Sequence, residues 1–93
     1  MSRESGSAHT TILTAEFDDP EQARRIERSL RPEIGAIDGD RTMATLSRDD
    51  EVIEISIRAT DLVALRAGIN TWLTLLGVAE DADLAAASPT ADA

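Results

Sequence analysis

Two clusters of side chains in this sequence could do chemistry. Arg24, Arg28 and Arg31, with Arg25 beside them, recur at three- and four-residue spacing. On a helix that spacing lines guanidiniums along one exposed face, and Arg favours bidentate phosphate contacts. Asp49-Asp50-Glu51 gathers adjacent carboxylates that could hold a hard cation. Each cluster also has a plainer reading. Glu21 and Glu27 sit among the arginines, so surface ion pairing accounts for the stripe, and adjacent acids at a hairpin tip are ordinarily solvated turn residues. His9 is the only histidine and cysteine is absent, which leaves no His-based triad and no His/Cys metal cluster. No glycine-rich phosphate loop follows a strand, and Gly35 and Gly39 are one residue too far apart for the GXXG loop by which KH domains clamp nucleotides. The expectation is a protein that is not an enzyme and carries no cofactor and no metal.

Composition narrows the partners. The 93 residues hold nine basic groups, all of them Arg, against eighteen acidic ones, a net charge of −9. An acid-rich surface without Lys suits a cytosol of concentrated salt, which points to a halophile; a GC-rich genome that favours Arg codons is the alternative. Phosphate binding draws on clustered basic residues, so net charge opposes nucleic acid at low salt. In about 1 M salt the Debye length falls to roughly 3 Å, and a local Arg stripe could still bind phosphate. No run of eighteen or more apolar residues appears, and the start of the chain has no apolar stretch like that of a signal peptide, so a cytoplasmic location is expected.

These side chains need elements to position them. Residues 10–17 alternate, with Thr11, Leu13, Ala15 and Phe17 on one face and Ile12, Thr14 and Glu16 on the other, the period of a half-buried strand. Asp19-Pro20-Glu21-Gln22 opens a first helix, and Pro32 ends it by disfavouring helical geometry at Arg31. That helix pairs Glu21 with Arg25 and Glu27 with Arg31 at four-residue spacing. Residues 41–47 and 52–59 flank Arg48-Asp49-Asp50-Glu51 as a hairpin would. Ile53, Ile55, Ile57 and Ala59 are the buried face of the last strand, while Ala44/Leu46 and Met43/Thr45 compete for the core in the strand before it. Thr60 is the expected cap of a second helix over 61–76, with Gly77 as its stop. The order β-α-β-β-α predicts an α+β two-layer sandwich, a three-stranded antiparallel sheet with two helices on one face. Residues 1–9 and 78–93 read as tails around a single domain at 10–77, which is small enough to want a partner.

The second helix stands out because it is not salted. On a wheel of about 100° per residue, Leu62, Leu65, Ile69, Trp72, Leu73 and Leu76 form one arc, the expected core. Val63, Arg66, Ala67, Asn70, Thr71 and Thr74 point away from it, and only Asp61 and Arg66 of 61–76 are charged. In a chain that is 29% charged, such a helix is either buried between the sheet and the first helix or forms a protein interface, where charge is depleted. A two-layer domain has no third layer to cover it.

Two segments resemble one family. Ser29-Leu30-Arg31-Pro32-Glu33 ends the first helix. Ala59-Thr60-Asp61-Leu62-Val63-Ala64-Leu65-Arg66-Ala67-Gly68-Ile69-Asn70-Thr71-Trp72-Leu73 runs through the second. Together they are similar to the small dimerising subunit of the KEOPS complex, the CTAG/Pcc family. The resemblance implies a KH-like fold and a scaffold subunit that forms a homodimer. Its helices would pack on a threonylcarbamoyltransferase subunit, in a complex that installs threonylcarbamoyladenosine beside the anticodon of tRNA. The motif positions it carries over are Ser29, Leu30, Pro32, Glu33, Asp61, Leu65, Arg66, Asn70 and Leu73. The sequence departs from the family in lacking Lys and in having Trp72 where a smaller aromatic is expected. With Val63, Ala67 and Thr74, Arg66 and Asn70 are the expected partner-binding residues, and Arg24, Arg28 and Arg31 are the candidates for tRNA. The alternative is a free-standing KH-like RNA-binding domain that uses those three arginines.

Overall fold

The computed structural model describes residues 9–36 and 41–87. The expected tail at 1–8, the loop end Asp38-Gly39-Asp40 and the last residues, 88–93, lie outside the described residues. The strands are β1 (His9–Glu16), β2 (Thr42–Asp49) and β3 (Val52–Ala59), and the helices are α1 (Pro20–Leu30) and α2 (Leu62–Ala87), with a 3-10 turn at Arg31–Glu33. The sheet is antiparallel throughout in the order β1-β3-β2. Both helices cover one face of it, α1 against β3 and β2 and α2 chiefly against β3 and β1. The expected α+β two-layer architecture is the one observed.

Local chemistry explains the boundaries. Asp19 caps α1 by accepting from the Gln22 amide at 2.8 Å, Pro20 occupies the first turn, and the Gln22 side chain accepts from the Asp18 amide. The two-residue link Asp50-Glu51 closes the β2–β3 hairpin, with Asp50 in the left-handed region at φ 56°, a conformation Asp tolerates. The hairpin strands thus reach further toward the turn than expected, and Arg48 and Asp49 are strand residues. Ala44 and Leu46, not Met43 and Thr45, face the core of β2. They meet Ile53, Ile55 and Ile57 of β3, Ala23, Ile26 and Leu30 of α1, and Trp72, Leu76 and Ala79 of α2. Leu13, Ala15 and Phe17 pack against the edge of this cluster.

The second helix corrects three expectations. Its cap is Asp61, whose carboxylate accepts from the Ala64 amide at 2.8 Å, rather than Thr60. It does not stop at Gly77. Gly77 is not left-handed, and the helix formers Ala79, Glu80, Ala82 and Leu84 carry the helix on, with Ala79 buried. The boundary at 77 and the expected tail from 78 therefore give way to helix as far as Ala87. Third, the helix is rotated from the expected arc. Leu62 and Leu73 are 60% and 51% exposed, while Ala64 and Trp72 are buried and Gly68 is half-buried. A Cβ on Gly68 would stand 3.1 Å from Ile57 Cγ2, so the helix approaches β3 where its side chain is missing. Trp72, one turn on, then fills the space over the sheet.

By length and composition alone Leu62–Ala86 could cross a membrane. Its inner side is the lid of the core, which accounts for only part of that apolar character.

The two helical glycines give a paired test. Nothing lies within 4 Å of a Cβ on Gly77, so Gly77→Ala should stabilise the protein by about 1 kcal/mol, the helix-propensity difference. Gly68→Ala meets Ile57 and should forfeit that gain. Urea unfolding of both variants measures the difference. A destabilising Gly77→Ala would mean that the helix ends at Gly77 after all.

Candidate functional site

The side of α2 away from the sheet carries Arg66 as its one charge between Leu62 and Gly77, with exposed Glu80 and Asp81 further on. Val63, Arg66, Ala67, Asn70 and Thr74, chosen from the sequence, are all exposed on it. The rotation of α2 adds what periodicity missed. Leu62, Leu73 and Leu84 are 60%, 51% and 67% exposed. An eleven-residue step turns a helix by only about 20° beyond whole turns, so the three form one seam, with half-buried Ile69 and exposed Arg66 and Glu80 along it. The 11-residue spacing was the available signal.

The opposite flank of α2 meets α1 in a shallow groove of about 210 Å³, lined by Ser29, Leu30, Glu33, Leu75, Val78 and Ala82. Val78 is 60% exposed there. Two uncovered apolar strips thus run along α2, one beside α1 and one on the side away from it.

Ion pairs hold the elements that present these strips. Arg25 does not pair with Glu21, as four-residue spacing suggested, but reaches across to Asp83 with Nε–Oδ1 at 2.6 Å and Nη2–Oδ2 at 3.2 Å. Gln22 Nε2 adds a longer contact to the same carboxylate at 3.5 Å. The hydrogen bond from Arg25 holds the Asp83 carboxyl below its ordinary value. This pair ties the last turns of α2, which were expected to be tail, to the middle of α1. Glu27 is held between Arg48, at 2.7 Å from Nε, and Arg31, which also donates to the Leu46 carbonyl of β2 at 3.4 Å. The hydrogen bond from Arg48, then that from Arg31, pulls the Glu27 carboxyl down. Asp61 is pulled down first by the Ala64 amide and then by Arg41, so one carboxylate caps α2 and anchors the start of β2.

The arginine stripe is mostly occupied. Arg24, Arg28 and Arg31 do share a cleft of about 340 Å³ with Glu27 and Pro32. Arg24, however, donates to Glu21 at 2.7 Å and Arg31 to Glu27, which leaves Arg28 without a carboxylate partner among the described residues. Among those residues there is no cluster of three potential metal ligands.

The family motif residues divide by position. Leu30 is buried and Leu65 half-buried against the core, Asp61 caps α2, and Pro32 sits in the 3-10 turn. Ser29 and Glu33 line the groove, whereas Leu73, expected in the core, stands in the exposed seam.

Comparison with known proteins follows from this geometry. Residues 10–82 match the model of the family described as "Transcription factor Pcc1". The chain belongs to the Pcc1 family. A chain in the crystal structure of the binary complex Gon7-Pcc1 superposes with a TM-score of 0.71 at 22% identity, covering 80% of this chain and 90% of that one. At that identity the likeness speaks for the shared fold. Pairwise comparison with curated proteins gives no match. The Pcc1 match reaches residue 82, well past Gly77, in agreement with the long α2.

The Glu27 clamp predicts a pH signature. Its folded pKa lies below the ordinary 4.5, so its stabilisation is full above that value and is lost as pH falls through the folded pKa. Arg48→Met should cost roughly 1–2 kcal/mol near neutrality, with the gap to wild type closing in acid. Urea titrations at pH 7 and pH 3 check this. An equal gap at both pH values would contradict it.

Proposed function

We propose that this protein is the non-catalytic dimer hub of a KEOPS-type tRNA-modifying assembly in the cytosol. The observation that carries the reading is the pair of uncovered apolar strips on opposite flanks of α2. A domain this small gains little from exposing them, and an interface needs such weakly charged surface.

The two flanks suit different partners. The seam of Leu62, Leu73 and Leu84 lies on the side of α2 away from α1, and α2 is the helix that contacts β1. From Thr10 to Ala15, β1 carries no charge and no Pro, the devices that usually protect a sheet edge. The other edge, β2, has Arg31 on its Leu46 carbonyl and Arg48 clamped to Glu27. A second copy therefore pairs through β1, extending the sheet to six strands while the two leucine seams meet above it. The groove between α1 and α2 is left for a helix of the threonylcarbamoyltransferase subunit, with Arg66 and Asn70 flanking the dimer seam. Direct tRNA contact rests on Arg28, the arginine of the stripe that its neighbours leave available.

The family description names a transcription factor, which would call for DNA contact. With a net charge of −9 and a largely self-neutralised arginine stripe, the hub reading fits this chain better.

Sedimentation and co-purification with the transferase subunit, in molar KCl, test the reading. Wild type should be dimeric or larger and bind the transferase. Leu73→Glu should break the edge pairing, and Val78→Glu should keep it but lose the transferase, with circular dichroism showing that both fold. A wild-type monomer that ignores the transferase would overturn it.

A further inference from the structure

The sheet face turned away from the helices is open. Alternation along the strands puts Thr10, Ile12 and Thr14 of β1, Glu54, Ser56 and Arg58 of β3, and Met43, Thr45 and Ser47 of β2 on it. Ser56 is half-buried and the rest are exposed, with Ile12 and Met43 at 57% and 56%. The register arranges them in rows: Thr10, Arg58 and Met43; Ile12, Ser56 and Thr45; Thr14, Glu54 and Ser47. The charges on this face are, in the row nearest the hairpin turn, Glu16 of β1 and Asp49 of β2 on either side of Val52, and, on the central strand, Arg58 and Glu54. Four residues of strand hold these last two about 13 Å apart, too far to pair with each other, and neither has an ion-pair partner among the described residues.

We propose that this face packs against the same face of another copy, about a two-fold axis that runs across the strands beneath Ser56. Such an axis turns β3 over an antiparallel β3, so Arg58 of each copy lies opposite Glu54 of the other, and Ile12 meets Ile12. An axis along the strands would instead set Arg58 on Arg58. The same axis sets the acidic row of Glu16 and Asp49 past the far end of the opposing strands rather than against its own copy, so Arg58 and Glu54 are complementary across the isologous contact. It offers no platform for single-stranded nucleic acid, because the two aromatic residues, Phe17 and Trp72, both pack in or against the core.

Area decides when this contact forms. A sheet of three eight-residue strands has a footprint of about 27 by 14 Å, roughly 390 Å², half of the roughly 800 Å² per partner that a stable interface buries. A six-stranded sheet doubles the footprint to about 780 Å². The inference therefore rests on the edge-paired dimer proposed above: dimers stack face to face into a tetramer.

Light scattering coupled to size exclusion, on the full chain in molar KCl, tests this. Wild type should have the mass of a tetramer. Glu54→Arg and Arg58→Glu should each halve it, since one sign then faces itself, and the double variant Glu54→Arg/Arg58→Glu should restore it. A wild-type mass fixed at the dimer, or single variants that remain tetrameric, would overturn the stacking and leave the hub reading standing. A wild-type dimer that Glu54→Arg splits to monomers would overturn edge pairing and, with it, the inference that stacking needs a six-stranded face. A wild-type monomer would overturn both.

Discussion

Gly68 lies half-buried between α2 and Ile57 of β3, and the rest of the arrangement follows from the depth this permits. Where a side chain would collide with the Ile57 methyl, the helix sinks toward the sheet, and Trp72 and Leu76 take core positions over its covered face. Fixing the rotation of a helix fixes what it shows on every other side. Leu62, Leu73 and Leu84 are turned outward as a consequence, and so is Val78 beside α1. The hydrophobic effect alone would have buried them. Close packing over a small residue costs that burial, and the cost is offset only if another chain covers the leucines.

With so small a core, charged side chains take on work that larger proteins leave to packing. Arg25 with Asp83, Glu27 with Arg48, and Asp61 with Arg41 each join elements distant in sequence. Each links a helix to its neighbour or to β2, and none sits on the outer side of α2 or on the open sheet face.

Much of the fold was legible in the sequence because it rests on local rules. The alternation of Ile53, Ile55, Ile57 and Ala59, the cap and proline at Asp19-Pro20, and the stop at Pro32 all act within a few residues. The choice of Ala44 and Leu46 over Met43 and Thr45 was not legible, since it depends on register with β3. The end of α2 was misjudged for a similar reason: Gly77 reads as a terminator in isolation, and the helix is carried past it by the Asp83 contact to Arg25 and by the burial of Ala79. At the candidate site, the weakly charged face holding Arg66 and Asn70 was visible from composition. The leucine seam was not, because an average helical wheel cannot see that a glycine lets one side sink.

The central claim is that β1 and the adjoining seam of α2 are covered by a second copy. Residue-resolved hydrogen exchange along β1 of the isolated protein tests it most directly. An exposed edge strand leaves alternate amides without a partner, whereas an edge paired with another copy protects them all. The account predicts slow exchange at every amide from Thr10 to Ala15. Alternating fast and slow amides along β1 at concentrations where the protein associates would contradict it.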